Sequence, residues 1–336
     1  MGGLGTRLHP LTLTTAKPML PLGNIPITEH QLIRAAQVGI KRIVLSTSYL
    51  PASFVDYFHD GSKWGLELLY AVEELPLGTA GAIRNSLPYL KGTEPIFIFN
   101  GDVISRHSLL KQLECHMHNS ADVTLHLLPL DDVRAYGKVT TDERGYITQF
   151  LEKPESSTPI QGQMNAGCYI FNPEVIMNIP TGRPVSVEKE IFPNLCSEQS
   201  RMFGYLESSY WLDLGTPTRY LQANLDLLTD GRSLVGSNTS INPSVALHNA
   251  VIGANVTIGA NVVISNSLIL DNAQIGENSH ISHTILGFGV TVAPRSELRG
   301  VVAGDNLVLS GATFPQSEEI GVIATAELAT HLDEGE

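Results

Sequence analysis

The chain has 336 residues, 43% of them hydrophobic and 16% charged, which allows about two domains and a sizeable buried core. A formal charge of −13 speaks against general nucleic-acid binding, whose affinity comes largely from Lys and Arg at phosphates. No stretch approaches the roughly 18 to 20 uninterrupted apolar residues of a membrane span, and no basic-then-apolar leader opens the sequence, so no membrane partner is expected and a cytoplasmic address is. Cys115, Cys168 and Cys196 are too few and too scattered for a disulfide framework or a zinc site.

The first element is Gly2-Gly3-Leu4-Gly5-Thr6-Arg7-Leu8, followed by Lys17-Pro18-Met19. Glycines let the main chain turn sharply and approach a ligand without a Cβ, and Arg7 and Lys17 add the charge a triphosphate demands. Polyphosphate binding in so acidic a chain must be local. Beyond the loop, Lys41 to Ser46 and Pro95 to Phe99 are short β-branched or aromatic runs ending at polar turns, with helical patterns such as Ile27 to Val38 between them. The alternation predicts a Rossmann-like α/β domain with a mostly parallel sheet. Asp122 to Leu128 and Cys168 to Phe171 add strands, and Tyr220 to Leu228 reads as a closing helix capped by Thr216 with Pro217 in its first turn. Asp102 follows one strand and Asp213 another, at the strand ends where such sheets bind ligands.

After Asp230-Gly231 the texture changes. Ile252, Ile258 and Ile264 recur every six positions, with phase slips near Leu270 and Ile285. An aliphatic residue at each sixth position can face the axis of a triangular coil, and stacked coils form one continuous core. The expected division is a catalytic domain over 1–230, a hexapeptide-repeat parallel β-helix over 231–315 and a polar tail over 316–336. His248, His280 and His283 lie in the coil, where hexapeptide acyltransferases can carry a catalytic histidine; without an acyl-carrier constellation they read as coil residues.

The landmarks GGLGTRL, KPM, PLGTAGA (Pro76–Ala82), FNGD (to Asp102), FLEKP (Phe150–Pro154), NAGCYIF (Asn165–Phe171), SVEKEIFP (Ser186–Pro193) and YWLDLGTP (Tyr210–Pro217) together resemble the sugar-phosphate nucleotidyltransferases. The last three are most similar to the mannose-1-phosphate guanylyltransferase branch. The resemblance implies attack of a sugar 1-phosphate, mannose 1-phosphate in that branch, on the α-phosphorus of GTP, giving GDP-mannose and pyrophosphate. Glucose-1-phosphate thymidylyl-, uridylyl- and adenylyltransferases share the loop and the aspartates and stay open. So do a non-catalytic regulatory homologue and a uridylyltransferase fused to an acyltransferase. By the same resemblance Asp102 and Asp213 are ligands of Mg2+, Arg7 and Lys17 contact the triphosphate, and Gly2, Gly3, Gly5 and Thr6 cradle it. Gly3, Glu73 and Gly78 face the base; Gly137, Glu152, Lys153 and Asn165 face the sugar phosphate. A carboxylate at Glu73 can accept from guanine N1–H and N2–H, but a thymine or uracil N3–H also suits it, and neighbouring Glu74 leaves the register open. The handedness of the coil, left, is likewise implied by the resemblance, and the coil is expected to serve homo-oligomer assembly or stability. Family members open with a hydrophobic strand running into the glycine loop, whereas Met1 here immediately precedes Gly2. That strand is therefore expected to be missing, through an upstream true start or a compromised fragment.

Overall fold

The computed structural model describes residues 5–47, 52–198, 200–309, 320 and 322–324. Gly2 and Gly3, residues 310–315 and nearly all of the expected tail lie outside the described residues. Among those described, one compact unit holds 31–211 and another holds 5–30 with the chain from 212 onward.

The first unit is α/β. Helix α1 (Ile27–Gln37) leads into it, and the run from Lys41 becomes strand β1 (Arg42–Thr47). Helix α2 (Ala52–Phe58), strand β2 (Glu67–Val72), helix α3 (Gly78–Ser86), strand β3 (Ile96–Phe99) and helix α4 (Leu109–His118) follow. Strand β4 (Val123–Leu130), the hairpin of β5 (Gly137–Thr141) and β6 (Ile147–Glu152), the long β7 (Gly162–Phe171) and β8 (Met202–Leu206) complete it. The parallel pairings are β1 with β2 and β4 with β8, of which β2 and β8 are not among the strands read from the sequence. Strand β7 is the hub of the larger sheet and pairs antiparallel with β3, β4 and β5. Val123, Leu125, Leu127, Phe150, Tyr169, Phe171 and Phe192 form its core. Six successive buried positions in β4 are the mark of a strand covered on both faces.

In the second unit, helix α5 (Pro217–Leu225) starts as the sequence predicts: Arg219 donates its backbone N–H to Thr216 Oγ1 at 3.4 Å. The coil that follows is a parallel β-helix of three sheets. Its strands begin at Val251, Thr257, Val263 and Leu268, spaced six, six and five residues apart. One turn is thus 17 residues, and Val251 stacks on Leu268 and Leu268 on Ile285. The one-residue deficit at the third corner is the physical source of the phase slips. Corners are turned by left-handed residues, chiefly asparagine: Asn238, Asn255, Asn272 and Asn306 at one, Asn261 and Asn278 at another, Asn249 and Asn266 at the third. Asparagine tolerates this conformation better than other side chains with a Cβ, and the amides form ladders, Asn249 donating to Asn266 at 2.7 Å.

Two faces of the coil alternate an outward polar or exposed residue with an inward aliphatic one, as in Thr257-Ile258 and His280-Ile281. On the remaining face both members of each pair are buried: Val251-Ile252, Leu268-Ile269, Ile285-Leu286. The segment that follows the glycine loop lies against this side. Asn24 Nδ2 donates to the Ile252 carbonyl at 2.8 Å, and a Cβ on Gly304 would stand 3.1 Å from Pro10 Cβ. Gly23 N–H donates to Asn224 Oδ1 at 2.9 Å, and Tyr220 Oη donates to the Pro21 carbonyl, tying α5 to the same segment.

Candidate active site

In the second unit the glycine loop ends in a single 3-10 turn, Thr6–Leu8, entered through Gly5 at φ 62°. A side chain is disfavoured there by its backbone alone, and the Gly5 carbonyl accepts from Thr12 Oγ1 at 2.8 Å. Leu8 is buried and anchors the turn, so Thr6 and Arg7 project from it, exposed. Lys17 opens a second 3-10 turn, Lys17–Met19, with Pro18 fixing its start. Asp213 ends a short strand and faces Gly215: its Oδ1 accepts the Gly215 N–H at 3.1 Å and its Oδ2 pairs with Arg219. A Cβ on Gly215 would lie 2.6 Å from Asp213 Oδ1 and 3.2 Å from Arg7 Nη2. The structure therefore brings Arg7 and Asp213 together at one glycine. The sequence gives Gly215 and Arg219 no role; they emerge only from this packing.

In the first unit, Asp102 sits on the Asn100–Val103 turn that leaves β3. That turn is docked on an irregularity in β7: the pairing of β7 with β4 slips between Asn165 and Tyr169. There the Gly167 carbonyl accepts the Asn100 N–H at 2.8 Å, and Gly167, at φ 77°, leaves no room for a Cβ beside Asn100 Nδ2. Asn165 holds the bulge from both ends, accepting from Gly167 N–H at 3.1 Å and donating to Tyr169 Oη at 3.0 Å. Asp102 and Asn165 are thus brought into one construction.

Gly137 and Glu152 are opposite partners in the β5–β6 ladder. A Cβ on Gly137 would strike the Phe150 ring at 2.5 Å and approach Glu152 Oε2 to 3.1 Å. Burial pushes the Glu152 carboxyl up, the nearby Glu188 charge adds to this, and Lys153 and Lys189 oppose it. Lys153 Nζ lies 3.8 Å from Glu152 Oε1. Two cations and a second carboxylate thus gather around Glu152, and of the cations the sequence picks out Lys153 but not Lys189.

Gly78 begins α3 at φ 73°, and a Cβ there would meet the Val185 carbonyl at 2.5 Å. Beside it Thr79 Oγ1 donates to Glu188 Oε2 and accepts the Val187 N–H, both at 2.8 Å, locking the PLGTAGA and SVEKEIFP segments together. Glu73 is buried; its carboxylate accepts the Leu77 N–H at 2.9 Å and Ser46 Oγ at 3.3 Å. It braces the loop leading to Gly78.

Among the described residues no three His, Cys, Asp or Glu side chains cluster into an all-protein metal cage. Asp102 on its turn and Asp213 at its strand end each offer a carboxylate of the kind that fits magnesium, a hard cation that commonly takes one or two protein carboxylates and leaves its other positions to phosphates and water. His248 and His280 stand on an outer coil face, in register with Ser265 and Ser282 and with Val263 and Glu297. His283 turns a corner at φ 48°.

Residues 1–230 match the nucleotidyl transferase family, and residues 221–313 match the left-handed β-helix (LbH) domain of the EIF2B epsilon subunit. The chain belongs to the nucleotidyl transferase family. It is 44% identical over 259 residues to a mannose-1-phosphate guanylyltransferase of Mycobacterium tuberculosis, a match spanning 74% of this chain and 71% of that one. It is 35% identical over 223 residues to a mannose-1-phosphate guanylyltransferase catalytic subunit beta of Drosophila pseudoobscura, covering 66% of this chain and 59% of that one. The crystal structure of HddC from Yersinia pseudotuberculosis, solved also in complex with GMP-PN, aligns at TM-score 0.58 with 26% identity over 67% of this chain and 96% of that one. Among the described residues no helix is long and apolar enough to cross a membrane.

Proposed function

We propose that this chain joins GTP and mannose 1-phosphate into GDP-mannose with release of pyrophosphate. The observation that carries the reading is the meeting of Arg7, on its glycine-entered turn, with Asp213 at Gly215. Lys17 opens a proline-set turn in the same unit, and Lys153, Glu152 and Asp102 belong to the other. The names of the mycobacterial and fly relatives support guanine and mannose among the family's bases and sugars.

The nucleophile, a sugar phosphate oxygen, is already ionised, so no general base is needed. An O–P bond forms at the α-phosphorus as the bond to the pyrophosphate oxygen breaks, and no proton changes hands. Catalysis is then positioning and charge neutralisation. Arg7 and Lys17 hold the triphosphate, and Lys153 holds the incoming phosphate while Glu152 accepts from a sugar hydroxyl. Gly137 and Asn165 shape the sugar side. Asp102 and Asp213 would hold magnesium, which when bound neutralises phosphate charge at the reacting centre. Glu73 orders the loop that carries Gly78 toward the base, and Gly2, Gly3, Gly5 and Thr6 supply main-chain donors to the phosphates. A homo-oligomer assembled through the coil is part of the same reading.

The test is a matrix of nucleoside triphosphates against sugar 1-phosphates, read by pyrophosphate release. GTP with mannose 1-phosphate should give the highest specificity constant. A constant for dTTP with glucose 1-phosphate that equals or exceeds it would overturn the substrate assignment.

A further inference from the structure

Helix α1 carries Gln31 and Arg34 three residues apart, on one face. Neither belongs to a glycine-rich, acidic or lysine motif, and the sequence marks neither for a role. Both instead reach the stretch that bears Asp102. Gln31 Nε2 donates to the Asn100 carbonyl at 2.8 Å and to the Val103 carbonyl at 3.1 Å. Its two amide protons join the carbonyls on either side of Gly101-Asp102. The turn's own closing bond, Val103 N–H to Asn100 C=O, is long at 3.4 Å, and a bond of that length is weak. The Gln31 amide is therefore the stronger clasp across the turn.

Arg34 fixes the far end of the same stretch. Its Nη2 donates to the His107 carbonyl and lies 3.1 Å from His107 Nδ1. His107 is buried, and its tautomer follows from its partners. Nε2 lies 2.9 Å from Gln112 Oε1, which can only accept, so the ring proton is on Nε2. Nδ1 then accepts from Ser105 Oγ at 2.7 Å. Gln112 is held in turn by Nε2 donating to the Cys168 carbonyl at 3.3 Å, on the strand that carries the Asn165 bulge. Asp102 thus hangs between two clamps, Gln31 at its own turn and Arg34–His107–Ser105 just beyond it.

We propose that Gln31 is a positioning residue for Asp102, and that the α1 face made by Gln31 and Arg34 sets the direction in which the Asp102 carboxylate would hold a divalent cation. The inference rests on the nucleotidyl-transfer reading above. Displacement of a reacting group by about 1 Å can cost on the order of 10²-fold in rate, so loss of a clasp at the metal turn should be read in turnover more than in folding.

The experiment compares wild type, Gln31→Met, which keeps the volume and removes both donors, and Asp102→Asn. Each is read by thermal midpoint, by Mn2+ binding in electron paramagnetic resonance without substrate, and by kcat and KM for GTP. For Gln31→Met the expected result is a midpoint close to wild type, Mn2+ affinity several-fold weaker, and kcat lower by about tenfold or more with KM for GTP little changed. Wild-type Mn2+ affinity and kcat in Gln31→Met, alongside loss of both in Asp102→Asn, would overturn the positioning role alone. So would a loss of kcat that merely tracks a fall in the folded fraction. Undiminished turnover and Mn2+ binding in Asp102→Asn would overturn the site and the inference together.

Discussion

The side-chain amide of Asn24 donates to the main-chain carbonyl of Ile252 at 2.8 Å, joining the segment behind the phosphate loop to the first fully double-buried rung of the coil. Sequence texture puts a domain boundary near residue 230, and this bond crosses it. Arg7, Lys17 and Asp213 belong to the same compact unit as the β-helix. Truncation after Gly231 should therefore remove the partners of Asn24 and Pro10 and uncover the segment around them, abolish pyrophosphorylase activity and leave a chain that binds hydrophobic dyes. A truncated, monodisperse and active protein would count against this. Asn24→Ala should lower stability by about 1 kcal/mol, the worth of one such hydrogen bond, measurable as a small fall in thermal midpoint.

Asp102→Asn, Asp213→Asn and Lys17→Ala should each leave the fold intact, because all three side chains sit at turns or strand ends. Each should lower turnover by roughly 10²-fold or more, the usual effect of removing a preorganised charge from a transition state. Near-normal kcat in all three at saturating magnesium would remove the site from consideration.

Two glycines separate stability from activity. Gly78→Ala must combine φ 73° with a Cβ 2.5 Å from the Val185 carbonyl, and the backbone term alone costs about 1–2 kcal/mol. Its signature should be a lowered denaturation midpoint. Gly215→Ala has no positive φ to contend with, but its Cβ would displace the Asp213 carboxylate, so its signature should be lost turnover at an ordinary midpoint. Calorimetry and steady-state kinetics on the pair check the contrast.

Acid should destabilise the first unit. His107 and His126 stack with centroids 3.8 Å apart in the interior. Burial first, then the neighbouring His126 ring and Arg34, hold His107 down at about 2; burial holds His126 down at about 4. Both are neutral when folded, whereas unfolded histidine titrates near about 6.5. Below that pH the unfolded chain binds more protons, so stability is whole above about 6.5 and falls as the pH drops toward 4, by up to about 1.4 kcal/mol per pH unit for each ring. Urea melts between pH 7 and 4.5 should show the decline, with a shallower slope in His126→Phe. An unchanged slope would mean another group governs it.

Much of this was legible in the chain itself. Strands β1 and β3 and helices α1 and α5 were marked by short β-branched runs, apolar periodicity and the Thr216-Pro217 cap, all of them local signals. The coil was marked by its aliphatic period, but its true turn of 17 residues was hidden because a six-residue template absorbs a missing corner residue as a slip. The covered face was not legible: the doublets Val251-Ile252, Leu268-Ile269 and Ile285-Leu286 break the alternation of an exposed coil face, but the period alone does not single them out. Gln31 could not be found, because a glutamine on a helix face is ordinary until the two carbonyls opposite it are seen. Glu73 is picked out by the resemblance, but its bracing role is not, because its partners Ser46 on β1 and Leu77 ahead of α3 come from distant parts of the chain.

The coil's turn fixes a quantum of length. Excision of residues 268–284 would set Ile285 directly upon Val251, with each asparagine corner returned to its column and every inward aliphatic still inward. Removal of one residue more would rotate the downstream chain by a step and present Val292 to solvent in the exposed column of Thr257 and Gln274, since neighbours along a strand point to opposite sides. Lineages that lengthen or shorten this region are thereby held to whole turns, and the spacing between the last rung and the phosphate loop can change only in jumps.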